Sequence, residues 1–275
     1  MAHAVAAQLG SDILNHSGPA IQLLAARWHS SWVGLSLAID QLSAKHLMLK
    51  LRFALFRLSE LFYEWRLGIV SDMEILNDQL GITDMACHDY LATSYLRFHQ
   101  LMRQITIRDG KDVFLDFGSG MGRAVILAAT YGFHKVIGVE LAESLHLTAL
   151  ENVRRALGRL RCRDIELYNI DARDFRVPDD VTVIYFWNPF SGEILRQVLA
   201  NIRQSIVESP RTVTLLHLSP NDPNEVELLK DSLPWLREVK RLHLGAKSHA
   251  VIYSCGAPDE PVLETEPIPE LAEAV

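Results

Sequence analysis

The stretch VFLDFGSGMGR, Val113 to Arg123, decides how this chain is read. Val113 to Phe117 is apolar and β-prone apart from Asp116. Glycines follow at alternate positions, Gly118, Gly120 and Gly122, and a helix-forming run, Ala124 to Thr130, comes directly after. A buried strand that turns on glycines into a helix presents backbone N–H groups at the helix start. Glycine permits positive φ there and lets a ligand approach the backbone closely. Open α/β sheets hold nucleotide-like ligands at units of this kind.

Working outward, strand and helix signals alternate from Asp112 onward. Strands are expected at 113–117, 135–140, 164–169, 181–187, 212–218, 237–243 and 249–254, and helices at 121–131, 142–158, 191–207 and 223–231. Repeated βα units argue a doubly wound, mostly parallel sheet. The last two strands, separated by Gly245-Ala246-Lys247, should form a hairpin with one antiparallel member. The expected fold is therefore α/β, a doubly wound seven-stranded sheet with one antiparallel strand near the C-terminus and an N-terminal helical extension. Four regions follow: a flexible lead-in over 1–17, a helical cap over 18–85, a Rossmann-like domain over 86–255 and an acidic disordered tail over 256–275. Residues 67–89 are irregular with short helical pieces, and a helix is expected from Ser94 to Ile105.

The glycine turn excludes some ligands. A dinucleotide fingerprint, G-x-G-x-x-G, would place its third glycine where Arg123 stands. A phosphate loop would end in Gly-Lys-Ser/Thr, which is absent. Asp116 would repel a pyrophosphate but can pair with an ammonium group. Glu140 closes the second strand about twenty residues past the turn, the spacing of a ribose-binding acid. A cationic, phosphate-free nucleoside ligand answers to all of these: S-adenosyl-L-methionine.

With that ligand the chain resembles a class I, seven-strand methyltransferase over about residues 86–255. DVFLDFGSGMGR resembles the motif of the non-SET histone-lysine methyltransferases, the disruptor of telomeric silencing type. YLATSY, Tyr90 to Tyr95, resembles that family's Tyr-x-x-Thr-Ser-aromatic loop, which closes over the methyl donor. VIYFWNPF, Val183 to Phe190, resembles its fourth-strand motif. The resemblance implies that Asp116 with Gly118, Ser119, Gly120 and Gly122 holds the methionine part of the donor. It implies that Glu140, with Leu141 beside it, takes the ribose and that Asp171 and Ala172 take the adenine. Thr93 and Tyr95 would close the methionine end, and Asn188, Pro189 and Phe190 would face the reacting methyl. Asn188-Pro189-Phe190 departs from the family's tandem asparagines and is similar to the Asn-Pro-Pro-aromatic loop of planar-amine N-methyltransferases with one proline missing.

Methyl transfer from a sulfonium is an in-line displacement, so the protein mainly aligns the reacting atoms. A carbonyl oxygen at Asn188, Trp187 or Pro189 can accept the N–H of a neutral amine, and Tyr95, Trp187 and Phe190 can wall a developing cation. His88, His99, His217 and His249 are the histidines that could serve as bases. Scattered histidines are more often surface or satisfied core residues, and no metal-ligand spacing such as HxxxH appears, so no metal is expected.

Composition bounds the partners. The formal net charge is −7, and the tail from Gly256 carries six carboxylates with no Lys or Arg, which leaves the rest near −1. A nearly neutral body gives no strong nucleic-acid signal. Cys87, Cys162 and Cys255 make no pairable framework and no CxxC, which argues a reduced, cytoplasmic compartment. The N-terminus lacks the pattern of a signal peptide. Residues 45–65 combine bulky apolar and basic side chains, suiting a homodimer or cap surface or a peripheral membrane contact. The expected function is methyl transfer to a nitrogen, less readily an oxygen, of a small molecule, peptide or non-histone protein. Open beside it stand a non-SET protein-lysine methyltransferase, a non-catalytic donor-binding module that recruits partners, and a lipid head-group acceptor.

Overall fold

A computed structural model describes residues 44–71, 74–219, 226, 233–244 and 248–256. The lead-in 1–17, the extension up to 43, most of the helix expected at 223–231, the hairpin turn 245–247 and the acidic tail past Gly256 lie outside the described residues. The chain divides after Tyr63 into two compact units. The second starts at Glu64, and within it Glu64 and Ser71 both bond the Arg123 side chain.

Helix α1, Ala44–Leu67, follows from an uninterrupted run of good helix formers with neither proline nor glycine. In the first unit Leu47, Met48, Leu51, Phe53 and Leu55 on it are exposed. Among the described residues no helix is long and apolar enough to cross a membrane.

The second unit is built on a seven-stranded sheet. Its strands are β3 (Val113–Phe117), β4 (Lys135–Glu140), β5 (Ile165–Asn169), β6 (Val181–Trp187), β7 (Val213–Ser219), β8 (Leu236–His243) and β9 (His249–Cys255). They lie in the order β5-β4-β3-β6-β7-β9-β8. β3 to β7 run parallel, while β9 lies antiparallel to both of its neighbours. Every residue of β3 is buried, as expected for a central strand covered on both faces. The order reverses at β3: the chain moves out through β4 and β5 and returns to β6 on the other side. That reversal opens a crevice at the strands' carboxyl ends.

Helices α2 (Tyr95–Met102), α3 (Arg123–Ala128), α4 (Glu143–Ala156) and α5 (Gly192–Glu208) complete the unit. On α5 the apolar residues Ile194, Leu195, Val198, Leu199, Ile202 and Ile206 recur at helical spacing and are all buried. Each contributes about 1.5–3 kcal/mol by burial. Phe117, Phe186 and Phe190 meet edge to face beneath the crevice, at centroid separations of 5.6–6.5 Å. Two strands not expected from sequence, β1 (Glu74–Ile75) and β2 (Tyr90–Leu91), pair antiparallel around a 3-10 turn at Asn77–Leu80. At two residues apiece they carry no periodicity. The helix expected to reach Ile105 ends at Met102, and α3 is shorter than 121–131 because Gly122, at φ 81°, begins it.

Candidate active site

The crevice holds a cleft of about 730 Å³, counting the part open to solvent. Gly118, Glu140, Leu141, Asp171, Ala172, Asn188, Pro189 and Phe190 line it. The remaining sequence-derived candidates, Thr93, Tyr95, Asp116, Ser119, Gly120 and Gly122, stand behind that lining and shape it.

The glycine turn comes first. Gly118, Gly120 and Gly122 adopt φ of 74°, 54° and 81°. A Cβ on Gly118 would lie 2.5 Å from Cβ of Pro189, and one on Gly120 would enter the ring of Tyr90. The turn's own N–H groups are used inside the fold. Gly118 and Ser119 both donate to the Val139 carbonyl, at 2.9 and 3.0 Å, and Gly122 donates to Ser119 O at 2.9 Å. Gly120 donates to Glu140 Oε2 at 2.7 Å, and the Met121 N–H meets the Tyr90 hydroxyl. A phosphate-binding turn leaves such donors free for its anion; this one does not.

Two carboxylates sit at this end. Glu140 is buried, and its second oxygen accepts from Ala142 N at 2.8 Å. Burial raises its pKa, and the backbone bonds oppose the rise. Each oxygen keeps a lone pair for a further donor such as a ribose hydroxyl. Asp116 is more exposed to cost. It is buried beside Gly138 and Tyr185 in the sheet, and among the described residues its carboxylate has no hydrogen-bond or ion-pair partner. Burial, with the Glu140 charge added, pushes its pKa well above the ordinary carboxylate range. An unpaired buried carboxylate is costly unless a cation reaches it. The ammonium of a methionine moiety is such a cation, so these residues fit the methyl donor.

Arg123, which stands in the third dinucleotide glycine's place, organises the closing loop. Its guanidinium donates to Glu64 Oε1 at 3.0 Å, to Ser71 Oγ at 2.8 Å and to the Thr93 carbonyl at 3.0 Å. It also lies over the Tyr95 ring, 4.4 Å from the centroid. Glu64 Oε1 accepts from Ser71 N and Oγ, and Tyr90 Oη donates to Ser71 O at 2.9 Å. Asn152 ties Val70 and Met121 together from α4. Thr93 Oγ1 lies 3.0 Å from Tyr185 Oη, and Tyr95 is fully buried. Thr93 and Tyr95 therefore pin the loop from beneath, while Tyr90 covers Gly120. Sequence reasoning missed Glu64, Ser71 and Asn152; the available signal was the charge of Arg123 at the head of an apolar helix.

The other end of the cleft is made by backbone. Asn188, at φ 44°, is the non-glycine residue with positive φ among those described. Its carbonyl accepts from His88 Nδ1 at 2.8 Å, and the Pro189 carbonyl accepts from His88 N at 3.1 Å. Ser191 N donates to Ala86 O, Cys87 bridges Phe190, and Trp187 Nε1 donates to Leu91 O. The Asn188 side-chain amide makes no hydrogen bond among the described residues. Asp171 is held in a two-oxygen pair with Arg173, whose guanidinium pulls its pKa down. Phe190 is largely a core residue, reaching the cleft from the aromatic cluster beneath it. Of the four histidines singled out in the sequence, His88 lines the cleft and His99, His217 and His249 do not.

The family model "Histone methylation protein DOT1" matches residues 85–232. No curated protein is significantly similar to the chain. Among solved structures, an RNA methyltransferase from Salinibacter ruber in complex with S-adenosyl-L-homocysteine is similar at 20% identity. That match covers 64% of this chain and all of the other, with a TM-score of 0.41. A SAM-dependent methyltransferase from Aquifex aeolicus is 18% identical over 57% of this chain and 89% of its own, TM-score 0.44. The PH0226 protein from Pyrococcus horikoshii is 18% identical over 60% and 92%, TM-score 0.47. None of these likenesses reaches a level that bears on substrate.

Proposed function

The chain belongs to the DOT1 histone-methylation family and is an S-adenosylmethionine-dependent methyltransferase; on that premise we propose that it methylates an amine nitrogen of a small molecule, peptide or non-histone protein. The observation that carries this reading is at Asn188. Its backbone carbonyl and that of Pro189 are already engaged by His88, whereas the side-chain amide of this cleft-lining residue has no partner among the described residues. An amide oxygen there can accept an acceptor's N–H and orient the nitrogen lone pair.

When bound, the donor supplies an electrophilic methyl on a positively charged sulfur. The chain's own part is to hold and orient. Asp116 would take the donor's ammonium, Glu140 the ribose hydroxyls, and Leu141, Ile170 and Ala172 the adenine, with Asp171 at its edge. Tyr90 and Pro189, closing on Gly120 and Gly118, keep water from the reacting centre. The near-neutral body outside the acidic tail favours an acceptor that is not wrapped in nucleic acid.

Radiolabelled donor offered with lysine peptides, small primary amines and cell extract should label an amine. Glu140→Gln should remove most of that label by weakening the donor. Label that is instead confined to nucleic acid in the extract would refute the reading. A second reading, a lysine on a strongly basic histone-like protein, is favoured by the family match and by the six carboxylates of the sequence past Gly256. Purified histones tested beside acid-soluble non-histone protein separate the two.

A further inference from the structure

We propose that His88 is the base that takes the proton of the methyl acceptor, with Nε2 as the accepting atom. The proposal rests on the amine reading above and adds a residue to it.

The tautomer follows from hydrogen-bond logic. Nδ1 of His88 lies 2.8 Å from the Asn188 carbonyl oxygen, and a carbonyl has no hydrogen to give. Nδ1 must therefore carry the proton, which leaves the lone pair of the neutral ring on Nε2. Among the described residues Nε2 has no hydrogen-bond partner, and the ring lines the cleft. The ring is held from two sides, since the backbone N–H of His88 also donates to Pro189 O. The base is thus fixed to the same Asn188-Pro189 turn whose amide would orient the acceptor.

The other titratable groups of the cleft already hold hydrogen-bond partners inside the fold or are disfavoured as anions. Glu140 accepts from Gly120 N and Ala142 N, and Asp171 is paired with Arg173. Asp89 accepts from Asn77 N at 2.7 Å. Tyr90 Oη donates to Ser71 O, and burial pushes the Cys87 thiol up, away from the anion. Among these lining groups His88 presents a ring nitrogen with no hydrogen-bond partner among the described residues.

The step balances. The acceptor nitrogen's lone pair forms the new C–N bond while the C–S pair returns to sulfur, leaving the sulfur neutral and the nitrogen cationic. The proton passes to Nε2 beforehand, when the acceptor enters as an ammonium, so that the nitrogen attacks as a free amine and leaves as the methylated cation. The resulting imidazolium is stabilised by Nδ1–H donating to Asn188 O, and its proton leaves through the open mouth of the cleft.

Asparagine is the informative replacement, because its amide N–H can occupy the place of Nδ1–H while offering no base. In the full-length protein without donor, nitrogen-15 spectra of His88 should show the Nδ1–H tautomer; a dominant Nε2–H form overturns the proposal. His88→Asn should bind S-adenosylhomocysteine within about twofold of wild type. Its turnover on lysine peptides and small primary amines should fall by about 100-fold, in kcat rather than KM. The loss should shrink as pH rises and the amine sheds its own proton. A His88→Asn rate equal to wild type overturns the base and leaves the amine reading standing. Wild-type protein that labels no amine probe refutes the amine reading, and the base assignment with it.

Discussion

At the donor end of the cleft, residues 118–122 spend their N–H groups inside the fold, and a buried arginine locks the covering loop onto them. At the acceptor end, segment 86–91 meets 187–191 through backbone carbonyls, which accept from the N–H groups of His88 and Ser191, the His88 ring, the Trp187 indole and the Ser191 hydroxyl. Side chains fix the first end and carry its charge, so substitutions there should be expensive. At the second, backbone pairing survives most changes of side chain, which leaves the lining free to be tuned to a substrate.

The contrast can be broken most forcefully at Arg123. Arg123→Ala leaves Glu64 buried without a counter-charge and should cost about 3–5 kcal/mol in urea unfolding. The double variant with Glu64→Gln should recover part of it. A loss below about 1 kcal/mol would mean that the donor end is not locked in the manner described. Next comes Gly120→Ala, which puts a methyl into the Tyr90 ring at a φ of 54°. A cost of about 2 kcal/mol on the donor-binding state corresponds to roughly 30-fold weaker S-adenosylhomocysteine binding by calorimetry.

Asp116 sharpens the comparison through pH. Its folded pKa lies above the unfolded one, so the folded state holds more protons between the two. Its contribution to stability is complete below the ordinary carboxylate pKa and is lost as pH rises through the raised one. Glu140 acts with the same sign. Asp116→Asn should flatten that decline in thermal melts recorded across pH. Because an ammonium partner would favour the ionised carboxylate, donor binding inside that window should release protons. Binding heats that do not change between buffers of different ionisation enthalpy would count against the pairing. The smallest effect belongs to the acceptor end: Trp187→Phe removes the bond to Leu91 O and should cost about 0.5–1.5 kcal/mol, with donor affinity unchanged.

These same residues mark what was legible in the sequence. Strands β3, β4 and β6 fall on their expected residues because each is a run of apolar or alternating side chains bounded by turn signals. Asp116 and Glu140 could be read together because one βαβ unit carries both, and their spacing is itself the signal. Glu64 finds Arg123 across 59 residues, and His88 finds Asn188 across 100. No local period encodes such pairings; they appear once the tertiary fold has brought distant elements together. The placement of Tyr95 shows the converse. Its aromatic character suited a wall of the site, but the arginine beneath it supplies a stronger partner, and the ring stays in the core.

Arg123 also bears on how readily such a turn can change its trade. One substitution, Arg123→Gly, would complete the dinucleotide fingerprint from Gly118 onward. The same substitution would strand the Glu64 carboxylate and loosen the loop held through Thr93 and Ser71. A pattern search would score that variant as a better nucleotide binder at the moment its fold weakened. Passage between the two ligand classes therefore has no viable single-step path here: the charge at residue 64 must change first, or with it.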